Sequence, residues 1–407
     1  MTLQHPALFD PGQSALATPL PRVLRPQRAL PSETVRPTRA EINLAALRHN
    51  LRVLQRVSGG AEVCCVLKAD GYGHGSKAVA RTLERAGATR MCVALLEEAI
   101  ELRQAGIRSP ILVMGGHYGR AWGEILRFDL TPVVHEPSQL RELAEEVRYS
   151  GSERIGVHVK IDTGMARLGV HPTQVSAVAS MLKQHPEVRL DGVMTHFACA
   201  DSGDDESIDA QLDAFDLACS TIAHHGIDIP LRHAANSAAI ARSPRAHLDA
   251  VRPGIALFGV PPQPGWLPEL RPVMRVRSEI VALRELEPGM TVGYGATWRA
   301  ARRSRIATLP MGYADGLSRG LSGKADLLVR GRRAPIVGVV SMDMTMIDVT
   351  DVEGAQVGDE VVALGSQKGP LGEDHIDAAE LAAHLGTIAW EVLTNISRRV
   401  PRFYREP

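Results

Sequence analysis

One lysine stands where an apolar run breaks into glycines, in AEVCCVLKADGYGHG at residues 61–75. Val63, Cys64, Cys65, Val66 and Leu67 form the short continuous hydrophobic run that fills a strand buried on both faces of a parallel sheet. Lys68 then falls at the C-terminal end of a strand, on the edge of an apolar core. Desolvation of an ammonium lowers its pKa and leaves a nucleophilic amine, the group Schiff-base chemistry needs. Asp70, Gly71, Gly73 and Gly75 supply a tight turn whose amides suit an anion at the start of a helix opening at Ser76. Read alone, such a strand-end lysine is more often a solvated surface charge.

Further groups recur at the ends of later apolar runs. In VKIDTGMARLG, residues 159–169, Arg167 sits in a loop, where its fork can clamp a carboxylate or phosphate. THFACAD ends a run with His196, which by itself is also a satisfied core histidine. HAANSAA places Asn236 and Ser237 at a strand-to-helix junction, and VRPGIALFG places Arg252, Gly254 and Ile255 at the next. A hydroxyl and backbone amides in loops after the last strands of a barrel are its usual phosphate seat. His196 and Cys199 stand three apart, but two donors do not make a zinc site, so no metal is assigned.

The elements that must position these groups repeat one plan. After the lysine run come apolar runs at 91–95, 111–114, 131–134, 155–161, 190–196, 231–234 and 250–258. Helix-period segments lie among them at 97–105, 137–147, 173–185 and 209–225. Eight strands alternating with helices predict an α/β fold, a (β/α)8 barrel. An open doubly wound sheet is the alternative, disfavoured because polar candidates collect at the ends of many strands. Residues 1–37 are proline-rich with scattered arginines and read as a disordered or loosely attached tail. Residues 38–44 alternate as a strand that could join the C-terminal domain, and a helix follows over 44–57. The barrel domain is set at 38–272. Beyond it, 273–407 reads as a β-rich domain with runs at 278–283, 305–309, 326–329, 335–340, 345–349 and 360–364 and one helix at 377–385.

Composition narrows the partners. The 407 residues are 44% hydrophobic and 23% charged, with 46 basic residues balanced by 46 acidic ones, so nothing points to nucleic acid or an acidic membrane. No 18-residue apolar stretch and no signal peptide is seen. Cys64, Cys65, Cys92, Cys199 and Cys219 fall mostly in apolar runs without metal spacing, as in a reducing compartment. A cytoplasmic protein acting on a small molecule is expected.

KADGYGHG around Lys68 resembles the pyridoxal 5'-phosphate attachment segment of the alanine racemases, the fold-type III group, and the later motifs follow in that family's order over about 38–403. The resemblance implies covalent cofactor at Lys68, phosphate contacts from Tyr72, Ser237, Gly254 and Ile255, and Asn236 beside them. It implies that Arg252 faces the pyridine nitrogen, supported by His196 linked to Arg252. An arginine there donates a hydrogen bond and leaves the nitrogen unprotonated, which disfavours long-lived carbanion chemistry. Arg167 is implied to position the substrate carboxylate, braced by Lys160, often a carbamate in the family. TVGYGATW supplies Tyr294 as the second base, reaching Lys68 from the other subunit of a homodimer with shared active sites. LPMGYADG and SMDMTMIDV supply Tyr313, Met342 and Asp343 at the entrance, with the Met342 backbone holding substrate carboxylate.

The expected enzyme is an isomerase that interconverts L- and D-alanine for peptidoglycan by a two-base mechanism. A racemase of broader or serine preference is the nearest alternative, and a noncatalytic cofactor-binding barrel the one from another class. Two departures from the family bear on the substrate: Ser341 where many members have cysteine, and Arg398 where some place a phosphate-binding tyrosine.

Overall fold

The computed structural model describes residues 35–116, 118, 121–202 and 205–406, so most of the expected tail lies outside the described residues. Within the part that is described, Arg36 donates to Asp315 Oδ2 at 2.9 Å, so order begins before Thr38.

The first strand, β1 (Arg39–Asn43), does not enter the barrel. It pairs antiparallel with β10 (Met274–Glu279) and parallel with β20 (Arg402–Arg405), and so opens the chain in the sheet of the second domain. Glu41, almost fully buried, holds these three strands through Arg39, Arg277 and Arg405 on Oε1 and Arg275 on Oε2. A buried carboxylate without such partners would cost several kcal/mol, on the order of 3–5. The helix Leu44–Val57 follows, its Leu47, Leu51 and Leu54 buried against the barrel.

Eight parallel strands then close on themselves: β2 (Glu62–Val66), β3 (Arg90–Val93), β4 (Ile111–Val113), β5 (Thr131–Val134), β6 (Ile155–Lys160), β7 (Val188–Met194), β8 (Arg232–His233) and β9 (Ala250–Val251). Closure is made by β9 on β2, with Glu62 opposite Ala250 and Val63 opposite Val251. The strands are apolar on both faces because the interior is filled by side chains and the exterior is covered by helices. The run at 250–258 is shorter than expected as a strand. Arg252, Pro253 and Gly254 end the pairing, and Ile255–Phe258 forms a 3-10 turn instead.

The second domain is mostly β, as expected, but two of its strands are placed differently. The run at 278–283 straddles a break: β10 ends at Glu279, and β11 (Ala282–Leu286) belongs to another sheet, with β14 (Ser304–Leu309) and β17 (Thr345–Asp348). The run at 335–340 holds only the end of β16 (Arg332–Pro335), and from Ile336 onward it contributes a single bridge to Ile347. A two-residue hairpin pair, β12 (Thr291–Val292) and β13 (Trp298–Arg299), projects between them. β15 (Asp326–Val329), β18 (Glu360–Gly369) and β19 (Gly372–Ile376) complete the larger sheet. Two helices pack here, Ala378–Leu385 and Ala389–Asn395, where one was expected.

Candidate active site

Lys68 follows β2 after one residue, Leu67, and so lies at the C-terminal mouth of the barrel. The four residues after it all have positive φ: Ala69 at 54°, Asp70 at 55°, Gly71 at 62° and Tyr72 at 52°. This is one turn of left-handed helix, which costs roughly 1–2 kcal/mol for each residue carrying a Cβ. Local bonds hold it, Gly73 N to Ala69 O at 2.9 Å and Gly75 N to Asp70 O at 2.8 Å. The anion seat expected at Ser76 is already filled, since the Ser76 amide donates to Asp70 Oδ1 at 2.8 Å. Partial burial, and then the Arg167 guanidinium, lower the Lys68 amine below the usual lysine range, while Glu98 opposes them.

Arg252, just after β9, is buried. It donates from one nitrogen to His233 Nδ1 at 2.8 Å and from another to the carbonyls of Thr195 (2.6 Å) and Ala234 (3.0 Å). His233 in turn meets His158 Nδ1 through Nε2 at 2.7 Å. Burial lowers the Arg252 pKa to about 10, still a cation at neutral pH. The expected link from Arg252 to His196 is not a hydrogen bond: its imidazole partner is His233, which the sequence reading passed over although it opens HAANSAA. Burial, and then Arg252, hold His196 down to about 3, so it is a neutral ring.

Beside this lies a cradle for an anion. Ser237 Oγ accepts from Gly254 N at 2.9 Å and Ala256 N at 3.3 Å, so its own proton is free to donate outward. Gly254 has no room for a side chain, because a Cβ there would overlap the Tyr72 hydroxyl. The Gly254 amide is thus spent on Ser237. The Ile255 amide makes no hydrogen bond to another described residue. Asn236 acts as a cap, its Oδ1 accepting from Ala238 N and Ala239 N at 3.1 and 3.0 Å, which fixes Ser237 at the first helical position.

Lys160 ends β6, almost fully buried. Burial, followed by Arg167 and Arg252, lowers its amine to about 8. Arg167 is exposed in the loop that follows, which Asp162 Oδ1 shapes by accepting from Gly164 N and Ala166 N. Neither Lys160 nor Arg167 has an ion-pair partner among the described residues.

In the second domain Tyr294 is 75% exposed at the turn of the β12–β13 hairpin. Tyr313 and Met342 come together through their backbones, Tyr313 N to Ser341 O at 3.0 Å and Ala314 N to Met342 O at 3.1 Å. The Ser341 hydroxyl is committed to its own turn, donating to Met344 O and accepting from Met344 N. Asp343 pairs with Arg399 at 2.7 Å. Arg398 is exposed and lines a 370 Å³ cavity with Leu67, Ala69, Glu98 and Arg402. A lysine amine of lowered basicity could react with a carbonyl group, and the Ser237 hydroxyl with the Ile255 amide could receive an anion.

Comparison with known proteins extends over the same two regions. The family model for the alanine racemase N-terminal domain matches residues 42–262, and that for the C-terminal domain matches residues 273–404. An alanine racemase of Sorangium cellulosum is 60% identical, covering 92% of this chain and 100% of the relative. The alanine racemase from D-cycloserine-producing Streptomyces lavendulae superposes with TM-score 0.86 at 34% identity, over 92% of this chain and 98% of that one. That of Bartonella henselae, solved with covalently bound pyridoxal phosphate, superposes with TM-score 0.82 at 27% identity, over 90% and 99%.

Proposed function

Because the chain belongs to the alanine racemase family and interconverts L- and D-alanine, we propose that Lys68 and Tyr294 are its two bases. Racemisation removes the α-proton from one face and returns one to the other, which requires an acid/base on each side. Lys68 Nζ handles the proton on the face of the D-enantiomer and Tyr294 Oη on that of the L-enantiomer. One observation carries this reading. Arg167 lies close enough to lower the basicity of Lys68, Lys160 and His196 alike, and Arg252 that of the last two, so groups from four barrel strands and their loops gather in one place.

The cofactor is proposed to be pyridoxal 5'-phosphate, which when bound supplies an electron-accepting ring that makes an amino acid's α-proton removable. Lys68 would hold it covalently, Ser237, Ile255 and Tyr72 would bind its phosphate, and Arg252 would face the ring nitrogen with His196 alongside. Arg167 and the Met342 amide would bind the substrate carboxylate.

The exposure of Tyr294, Tyr313 and Met342 supports a homodimer in which each hairpin completes the other copy's site. Domain limits of 38–272 and 273–407 go with this reading, β1 being given to the second. The five free cysteines support a reducing cytoplasm, with D-alanine passing to peptidoglycan. No helix of the described residues is long and apolar enough to cross a membrane. The noncatalytic alternative is set aside because the match runs through the domain that carries Tyr294.

Mixing two inactive variants, Lys68→Ala and Tyr294→Phe, tests the shared sites. Random re-pairing should restore about a quarter of wild-type activity, because half the dimers gain one intact site. No recovery after verified subunit exchange would contradict the arrangement.

A further inference from the structure

The left-handed turn after Lys68 is gripped from outside by a residue that none of the site motifs contains. Glu98 lies in the first turn of the helix Leu96–Gln104, which follows β3. One carboxylate oxygen, Oε1, accepts from the Ala69 amide at 2.6 Å. The other, Oε2, accepts from the amides of Ala94 at 2.9 Å and Leu95 at 3.1 Å. A single carboxylate therefore ties the residue next to the lysine to the end of the neighbouring barrel strand. An ordinary helix-start glutamate satisfies only its own helix. This one spends half its acceptors on a backbone 29 residues away, at a residue with φ 54° that an alanine rarely adopts.

We propose that Glu98 is a positioning residue for Lys68: through the Ala69 amide it holds the strained turn that aims the lysine side chain across the barrel mouth. Its negative charge also acts on the Lys68 amine, opposing the effect of Arg167. The inference rests on Lys68 being the cofactor-bearing lysine, and its test separates the two.

The full-length chain freed of cofactor is incubated with pyridoxal 5'-phosphate at fixed pH, reduced with borohydride at intervals, and read by peptide mass spectrometry. In wild type the label falls on Lys68; a label elsewhere refutes the cofactor assignment and leaves Glu98 without a role. Removing the charge alone leaves more free amine and accelerates labelling, whereas removing the grip slows it. The expected result for Glu98→Ala is labelling of Lys68 slowed about tenfold or more, with Glu97→Ala, a charge control on the same helix, unchanged. Glu98→Gln has one acceptor oxygen in place of two, is slowed as well, and serves if Glu98→Ala does not melt cooperatively.

A second substitution separates positioning from mere capping of the helix. Glycine tolerates the left-handed region, so adding Ala69→Gly to Glu98→Ala should restore labelling by about threefold or more. A slowdown well short of about tenfold, or no rescue by Ala69→Gly, overturns the proposal, the latter placing the defect in the helix start.

Discussion

The guanidinium of Arg252 donates to His233 Nδ1 at 2.8 Å, and this contact fixes the protons of two buried rings. With Nδ1 an acceptor, His233 must carry its proton on Nε2 and donate to His158 Nδ1, 2.7 Å away. His158 then carries its own proton on Nε2, a buried atom with no hydrogen-bond partner. A neutral relay of one polarity thus backs the arginine, and nothing in it offers Arg252 a carboxylate that would pull it from the site.

Removing the acceptor should be costly. His233→Leu leaves one Arg252 N–H buried without a partner, an expected destabilisation of about 1–3 kcal/mol. Chemical denaturation checks it, and an unchanged midpoint would mean that water or a shifted carbonyl takes the place of the ring.

Acid should weaken the fold before most carboxylates titrate. Burial holds His74 at about 4 and His158 and His196 at about 3, below the ordinary histidine value. The unfolded chain therefore binds more protons than the folded one from about pH 3 to 6.5. Stability rises with pH across that window and is lost as pH falls through it, each ring contributing up to about 1.4 kcal/mol per pH unit. Urea unfolding at pH 7 and pH 5 should show the loss; equal stability at the two would contradict neutral burial of these rings.

Gly254 should be intolerant of a single methyl group. Gly254→Ala drives a Cβ into the Tyr72 hydroxyl and so displaces a group proposed to donate to the cofactor phosphate. A hydrogen bond to a charged group is worth about 1.5–3 kcal/mol, so pyridoxal 5'-phosphate affinity should fall about 10- to 100-fold. Fluorescence titration of the cofactor-free chain measures it, and wild-type affinity would remove Tyr72 from the cradle.

Lys160 should take up carbon dioxide. An amine at about 8 is neutral for about a tenth of the time at pH 7, and only a neutral amine forms a carbamate. Protein in 13C-bicarbonate should show a carbamate carbon resonance that Lys160→Arg abolishes. A resonance that survives the substitution would place the carbamate elsewhere.

Much of the barrel was legible because its strands are short, apolar and regularly spaced, with seven of the eight runs ending within two residues of the observed strand. The run after 250 was read too long because Ile255–Phe258 is as apolar as a strand, and only tertiary closure shows that Arg252–Gly254 turns the chain. In the second domain Ile280 and Val281 continue an apolar run through a break between sheets, which local patterning does not register. The barrel's motif residues drew notice in the sequence because they stand at the ends of apolar runs. His158, His233 and Glu98 were missed because each acts through a partner 19 to 75 residues away, visible only after folding. The glycines after Lys68 announced a turn, but its left-handed course through Ala69, Asp70 and Tyr72 has no sequence signal, since those residues disfavour it.

The two-base assignment is tested most directly by proton NMR of the Tyr294→Phe variant in D2O, following each alanine enantiomer separately. With Lys68 intact and the opposite base gone, D-alanine should still exchange its α-proton for deuterium without inversion, while L-alanine should keep its proton. Racemisation of both enantiomers at the wild-type rate would contradict the account.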